Sequence, residues 1–599
     1  RYPKSFPNMS NLPLATIRGA RLEKIAKLRE LGLNPFPSQA HRTHSTADIL
    51  ARYEELEGQT VTVAGRLMSF RKMGGMSFGH VQDQSGQVQI ALRRGEMAET
   101  NAAAGTLGYE NLSLLDMGDI VEATGKVGKT KTGEVSVITD SIRMLTKSLR
   151  PYPDKYVGMK DRELILRKRY IDTTLNPENR EHFEQFGKML FEIRRFLASR
   201  GFVEFITPII QAQYGGGTAK PFLTHVNALS TDMYLAISHE LYLKRLITAG
   251  FDKVFTIGRY FRNEGIDRSH HPEFSMVETM TAYENYEYNM QLIEDMFRHI
   301  AVNVFGRTKF LVKGHEVDFA NPWPRIRMAD AVLAATGVDF RTIATLEEAN
   351  RHVSEPQESI GHALVRCFEE KVEKTLIQPT LIYGHPIEIS PLAKPMAKDP
   401  RYVERFEIFI AGMECGDNWS EQNDPVALLE TWRKAFRPED RDEGEFHPLD
   451  YDFIETLEHA MPPTTGIGPG LERMAMIFTG KEDIYDVIFF PMMKPTISEV
   501  NKVIYGVKEE DLPGHGVDLV LSIDDLTKLL KSGQLKPRGE TISITPVAAE
   551  FAGHIARHQE IQGLSNGGKI TVSGGDVTFL LGELFPSVKV RQNPLRQNN

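Results

Sequence analysis

The densest set of chemically capable side chains in this chain lies between Arg259 and Glu278. Arg262 and Glu264 stand two residues apart before Gly265, and His270, Phe274 and Glu278 follow. A Gly-containing turn would bring the two segments side by side, and the set suits a nucleotide. A planar guanidinium takes a phosphate through two parallel hydrogen bonds, a carboxylate accepts from an adenine amino group, an imidazole reaches outer phosphates, and an aromatic face stacks on a base. An Arg and a Glu two apart on a strand also make an ordinary surface ion pair, so this stretch alone decides nothing.

Three further stretches carry chemistry of the same kind. Gly215-Gly-Gly217 opens a loop that lets backbone approach a ligand closely, although three glycines also make a plain flexible turn. Glu407 and Glu414 sit in segments of mixed apolar and acidic character; two such carboxylates with nucleotide phosphates make a Mg2+ site, and without them a solvated acidic edge. Gly466, Gly468 and Gly470 alternate before Arg473 and an apolar helical run, clearing one face of a strand at a helix start that favours an anion. The GxGxG spacing is not the dinucleotide fingerprint.

The elements that must position these groups are legible in the periodicity. Residues 18–32 read as a helix with Leu22, Ile25, Leu28 and Leu31 on one side, closed by Gly32. Its Arg and Lys residues make either a solvated face or an arm along a polyanion. Between Val61 and Met144, five alternating runs with glycine-rich turns predict a small barrel of the OB type, which binds single-stranded nucleic acid by stacking and basic loops. Phe78, with Lys126, Lys129 and Lys131, can serve that purpose, or Phe78 can be core; alternation alone does not choose. Residues 145–180, rich in both charges and holding Arg150-Pro-Tyr-Pro-Asp154, read as a linker. Phe183, Phe186, Leu190, Ile193 and Leu197 then mark an amphipathic helix ending at Gly201. The apolar run from Phe202 to Ile210 predicts a strand whose Pro208 fits an edge or a dimer contact. Residues 238–246, bearing Glu240, look helical.

Composition bounds the rest. The chain has 599 residues, 41% hydrophobic and 25% charged, with a net charge of −9, which excludes a wholesale nucleic-acid coat but not local basic surfaces. Only Cys367 and Cys415 are present, which argues against a disulfide framework and for a reducing compartment. There is no run of about 18 apolar residues and no Cys/His cluster with zinc spacing, so the expectation is a cytoplasmic protein without a membrane segment.

Taken in order, the helix and strand ending at Pro208, the stretch from Phe261 to Phe274 and the stretch from Gly466 to Arg473 resemble motifs 1, 2 and 3 of class II lysyl-tRNA synthetases, over about residues 15–495. Gly215 to Phe222, the run from Glu240 to Arg245 and Ser420 to Pro425 narrow the similarity to the lysine enzymes. The resemblance implies an α+β fold: an N-terminal helical arm (1–55), an OB-fold anticodon-binding barrel (56–150), a catalytic domain of mostly antiparallel sheet flanked by helices (151–497), and a C-terminal extension (498–599). It further implies a homodimer that activates L-lysine with ATP and Mg2+ and transfers it to tRNA(Lys).

By the same resemblance Arg262 holds the ATP α-phosphate and the substrate carboxylate, Glu264 and Phe274 the adenine, His270 and Arg473 the outer phosphates, and Glu407 and Glu414 the magnesium. Gly216 and Glu240 take the α-amino group, and Glu278 and Glu421 face the ε-ammonium. Phe78, Gln89 and Glu134 read anticodon bases. The chain departs from the family pattern at four positions. Met280 replaces a tyrosine near the ε-amino group, Trp419 replaces a Phe or Tyr packing on the alkyl chain, Asp417 replaces an asparagine near the carboxylate, and Ser269 replaces an arginine. A second negative charge at Asp417 opposes carboxylate binding unless it is protonated or turned away. The alternatives left open are a paralogue activating a lysine analogue or another amino acid, and a non-catalytic tRNA-binding regulator. In the extension, 522–533 reads as a capped helix, and 545–552 with 567–577 faintly resembles a small peripheral subunit-binding domain, with a partner that the residues do not name.

Overall fold

The computed structural model describes residues 14–153, 159–217, 219–390, 392–435, 450–505, 541–544 and 569–572. It forms two compact units, Arg1–Tyr152 with Lys494–Asn599, and Pro153–Met493.

The first unit begins with helix α1 (Leu14–Glu30), which buries Ile17, Arg21, Ile25 and Leu28. The face expected from three-residue steps is therefore corrected: Leu22 and Leu31 are 39% and 38% exposed, because a strict step of three drifts around a helix of 3.6 residues per turn. Arg21 takes the vacated place in the buried stripe. Its two terminal nitrogens donate to the carbonyls of Met117, Ser148 and Arg150, which offsets the cost of enclosing its charge, while its Nε is buried without a hydrogen-bond partner.

Strands β1 (Thr60–Met73), β2 (Met76–Gln82), β3 (Gln87–Arg93), β4 (Ile120–Lys129) and β5 (Val135–Thr146) form the barrel. The antiparallel order is β3-β2-β1-β4-β5, and a parallel pairing of β3 with β5 closes it. A two-residue strand, Thr106–Leu107, adds to β5 and lies below what alternation detects. In β2 the core takes Ser77, Gly79 and Val81 and leaves Phe78, His80 and Gln82 half-buried on the other face, so Phe78 is not core. Beyond Lys494, the helix Glu499–Tyr505 receives Arg150, which donates to Asn501 at 2.7 Å and Tyr505 at 2.9 Å. Strand Thr541–Ile544 pairs in parallel with Lys569–Val572; the helix expected at 522–533 and the stretch 545–552 lie outside the described residues, as does most of 567–577.

The second unit corrects the linker reading, since Arg162–Arg167 and Arg169–Leu175 are helices whose charged residues sit at helical rather than random spacing. Helix α2 (Glu181–Ser199) buries Met189, Ile193, Phe196 and Leu197, leaving Phe183, Phe186 and Leu190 half-buried. The strand expected over 202–210 breaks in two. Only β6 (Val203–Glu204) joins the main sheet, in parallel, while Ile210–Gln211 pairs in a separate small sheet, with Pro208 between them unable to donate to a ladder.

The main sheet is completed by β7 (Lys253–Phe261), β8 (Glu273–Ala282), β9 (Arg325–Arg327), β10 (Thr380–Tyr383), β11 (Arg405–Ile410), β12 (Met413–Ser420) and β13 (Thr464–Pro469), in the order β9-β10-β11-β12-β13-β8-β7-β6. Only the two outermost pairs are parallel. Helix α3 (Glu240–Thr248) contacts β7 and β8, and α4 (Tyr286–Phe305) and α5 (Leu471–Thr479) join α2 over the sheet. Their core is aromatic, with Phe297, Phe310, Phe319, Trp323 and Phe478 in mutual ring contact. Such a slab supplies a rigid floor from which polar side chains of the central strands can project.

Candidate active site

A cavity of about 470 Å³ opens over β8, β11, β12 and β13, and every residue expected to bind ATP, lysine or magnesium lines it. The hairpin of β7 and β8 pairs Tyr260 with Phe274, and just past the end of β7 the Arg262 amide donates to Pro272 at 2.9 Å. The Arg262 guanidinium therefore lies over the Phe274 ring, 5.2 Å from its centroid. Among the described residues no carboxylate pairs with it, and its Nε is buried without a hydrogen-bond partner. An arginine held by an aromatic face and not committed to a described carboxylate of the protein suits a substrate anion. Glu264 accepts only a long 3.4 Å contact from the Lys220 amide.

Arg473 gathers the other half of this end. One nitrogen donates to the Glu414 carboxylate and, at 2.9 Å, to its carbonyl; another lies 3.1 Å from Nε2 of His270. Arginine only donates, so His270 Nε2 accepts and its ring proton sits on Nδ1, facing Asp267 at 2.8 Å. Glu407 accepts from Arg405 at 2.8 Å and lies 3.3 Å from His385. Burial pushes Glu407 up, but His385 and Arg405 outweigh it and hold the carboxyl down at about 2. Glu407 and Glu414 are thus hard oxygen donors, and among the described residues no group of three His, Cys, Asp or Glu side chains forms a cage. The pair fits Mg2+ only as a site shared with phosphate oxygens and water.

At the acidic end, Glu278 accepts from Ser238 Oγ at 2.8 Å and the His239 amide at 3.0 Å. Burial pushes its pKa up to about 7, the nearby Glu240 adds to this, and its two donors oppose it. Glu240 and Glu421 both pair with the ammonium of Lys244, a side chain only 2% exposed. Trp419 donates its indole N–H to Glu421 Oε2 at 2.8 Å, while Glu421 Oε1 is buried without a partner. Gly466 and Gly468 open this space for side chains: a Cβ at 466 would stand 2.4 Å from Met280 Cε and 3.0 Å from Glu421 Oε1, and one at 468 would stand 2.8 Å from Met276 Cε. Gly216, at φ +83, has no room for a Cβ, which would lie 2.7 Å from Ser238 Oγ and 2.8 Å from Glu240 Cβ. Asp417 is turned to Arg405, which donates to its two oxygens at 3.0 and 2.7 Å.

In the barrel, Gln89 donates to Glu134 at 2.6 Å, and His80 bridges Glu134 at 2.9 Å and Ser69 at 2.8 Å. Phe78 shares the half-buried face of β2 with His80. Lys129 is engaged by the Tyr53 ring, 4.4 Å from its centroid.

Sequence reasoning missed Lys244, Arg405 and His385. Lys244 follows Glu240 by four residues on α3, an i,i+4 spacing that signals an ion pair; Arg405 precedes Glu407 by two, on one face of β11. His385 had no local signal, since it meets Glu407 only across the fold.

A family model for class II tRNA synthetases (D, K and N) matches residues 161–494, and one for an OB-fold nucleic acid binding domain matches residues 61–145. Curated relatives named lysine–tRNA ligase include those of Pelotomaculum thermopropionicum, 44% identical over 483 residues (79% of this chain, 94% of the relative), and Bacillus subtilis, 42% identical over 487 residues (79% and 96%). A Bacillus cereus protein of the same name is 43% identical over 500 residues (81% and 99%).

Proposed function

We propose a reaction on the premise that this chain belongs to the class II tRNA synthetases of the D, K and N group, and is an ATP-dependent ligase. Within that family it is a lysine–tRNA ligase. The observation that carries this reading is one cavity in which the unpaired Arg262 lies on an aromatic face and three buried carboxylates, Glu240, Glu278 and Glu421, gather. A cationic amino acid satisfies those acids, whereas aspartate would meet only like charge.

The chemistry needs no side-chain nucleophile. A lysine carboxylate oxygen attacks the α-phosphorus of ATP, an anhydride bond forms, and pyrophosphate leaves. Arg262 bridges the carboxylate and the α-phosphate, screening their repulsion and stabilising the charge of the five-coordinate centre. Phe274 stacks on the adenine and Glu264 accepts from its amino group, while His270 and Arg473 receive the outer phosphates. Glu407 and Glu414 would hold Mg2+, which when bound would supply charge neutralisation for the leaving pyrophosphate. The terminal ribose hydroxyl of tRNA(Lys) then attacks the acyl carbon, and AMP leaves. Gly216 and Glu240 position the α-amino group; Glu278 and Glu421 take the ε-ammonium between Met280 and Trp419. Phe78, Gln89 and Glu134 contact the anticodon.

A homodimer suits Ile206, 101% exposed, with Ile209, Ile210 and Leu223 exposed nearby in sequence. Action in the cytoplasm suits two cysteines that are both free and buried; no described helix is long and apolar enough to cross a membrane.

Amino-acid-dependent ATP–pyrophosphate exchange over a panel of amino acids tests the whole. Exchange with L-lysine is expected. A signal only with another amine reassigns the substrate, and silence with every amino acid favours a tRNA-binding regulator.

A further inference from the structure

Lys244 has no role in the reaction just described, yet its side chain is only 2% exposed and pairs with two carboxylates of the amino acid pocket. It lies on α3 among Glu240 of the same helix, Glu421 following β12, and the Phe453 ring, 5.7 Å away. The adjacent Arg245 turns away to Asp450 and Asp452. Glu421 is fixed from two sides, because Lys244 and the Trp419 indole both hold it, and its Oε1 remains buried and unpartnered beside Gly466 and Met280. Glu278 carries no ion pair among the described residues; it meets Ser238, the His239 amide, and the charges of Glu240 and Arg262.

Among the described residues these three buried carboxylates thus have one ion-pair partner, Lys244, and Arg262 acts on Glu278 only through its field. Free lysine brings two ammonium groups. We infer that Lys244 is a specificity-determining positioning residue: it cancels one of the three charges and orients Glu421 Oε1 toward the cavity, so that the pocket matches a substrate with two ammonium groups. This rests on the lysine reading proposed above. Burial pushes Glu278 and Glu421 above the ordinary carboxyl range, while for Lys244 the cost of burial is outweighed by Glu240 and Glu421, which hold it charged.

The test is lysine-dependent ATP–pyrophosphate exchange by the full chain between pH 6.5 and 9, comparing wild type, Lys244→Met and Lys244→Arg. Methionine keeps the length and removes the charge, leaving three acids for two ammonium groups. The expected result is a rise of about tenfold or more in the lysine KM, a smaller change in kcat, and an ATP KM within about twofold. The pH at which lysine binding improves moves upward, and Lys244→Arg retains the wild-type pH profile. A Lys244→Met enzyme with the lysine KM and pH profile of wild type overturns the inference. If that variant does not fold, Lys244→Arg decides: a wild-type profile supports the charge role and a displaced one contradicts it. No lysine exchange by wild type instead removes the underlying reading.

Discussion

Arg405 and Asp417 stand opposite ends of a two-pronged ion pair, Nε at 3.0 Å from one carboxylate oxygen and Nη2 at 2.7 Å from the other. This answers the objection raised by an acid near a carboxylate-binding position, because the charge of Asp417 is spent on a neighbour. Arg405→Met would leave Asp417 and Glu407 without their shared cation. The loss of stability should be on the order of 2–3 kcal/mol, below the full figure for a dry pair because both side chains keep some solvent contact. Asp417→Asn should cost less, since Arg405 retains Glu407. Chemical denaturation of the three proteins checks the order.

Glu278 should give the enzyme a pH signature. Burial pushes its carboxyl up from an ordinary value of 4.5 to about 7, so the folded state binds the proton more tightly than the unfolded chain. A raised carboxyl stabilises fully below the unfolded value, and its contribution is lost as pH rises toward 7, to a total of about 3 kcal/mol. Lysine binding needs the ionised form, so the lysine KM should fall as pH rises through about 7. Glu278→Gln should abolish lysine exchange and flatten the decline of melting temperature between pH 4.5 and 7. A wild-type lysine KM that is flat across neutrality would count against the assignment.

Gly466 and Met280 share one volume. A Cβ at 466 would overlap the Met280 terminus, at 2.4 and 2.5 Å from Cε and Sδ, and would crowd Glu421 Oε1. Gly466→Ala should therefore raise the lysine KM by about tenfold or more with little effect on ATP. Met280 is flexible and removable, so the double variant Gly466→Ala with Met280→Ala should recover much of the loss. Absence of rescue would mean that the glycine serves backbone conformation rather than space.

The barrel should be separable from the chemistry. Glu134→Ala leaves Gln89 and His80 without their common acceptor. It should raise the tRNA KM in aminoacylation by about tenfold and leave ATP–pyrophosphate exchange unchanged. A parallel fall in exchange would assign Glu134 to stability instead.

Much of this site was legible because its groups sit on regular elements. The turn expected at Gly265 does bring the Arg262 segment beside the strand that holds Phe274, although Arg262 and Glu264 lie just past their strand and not on it, and the alternate glycines of β13 clear a face. What escaped was long-range. Whether Asp417 was free depended on Arg405 twelve residues away, and the vacancy of Glu421 Oε1 depended on Trp419 and Lys244. The break at Pro208 and the buried Arg21 show the same limit. Apolar pattern finds a buried stripe, but not a charged residue whose donors are met by distant carbonyls.

Arg473 has an anion of the protein's own as its partner, Glu414. On the proposed reading, a triphosphate therefore enters by changing partners: one anion is traded for another, and the net gain is only the difference between the two contacts. The exchange also couples the two ligands. Glu414 stays masked in the resting enzyme and is uncovered when phosphates take over Arg473, so the protein should hold a divalent cation weakly alone and firmly once ATP is present, with each ligand strengthening the other by the same factor.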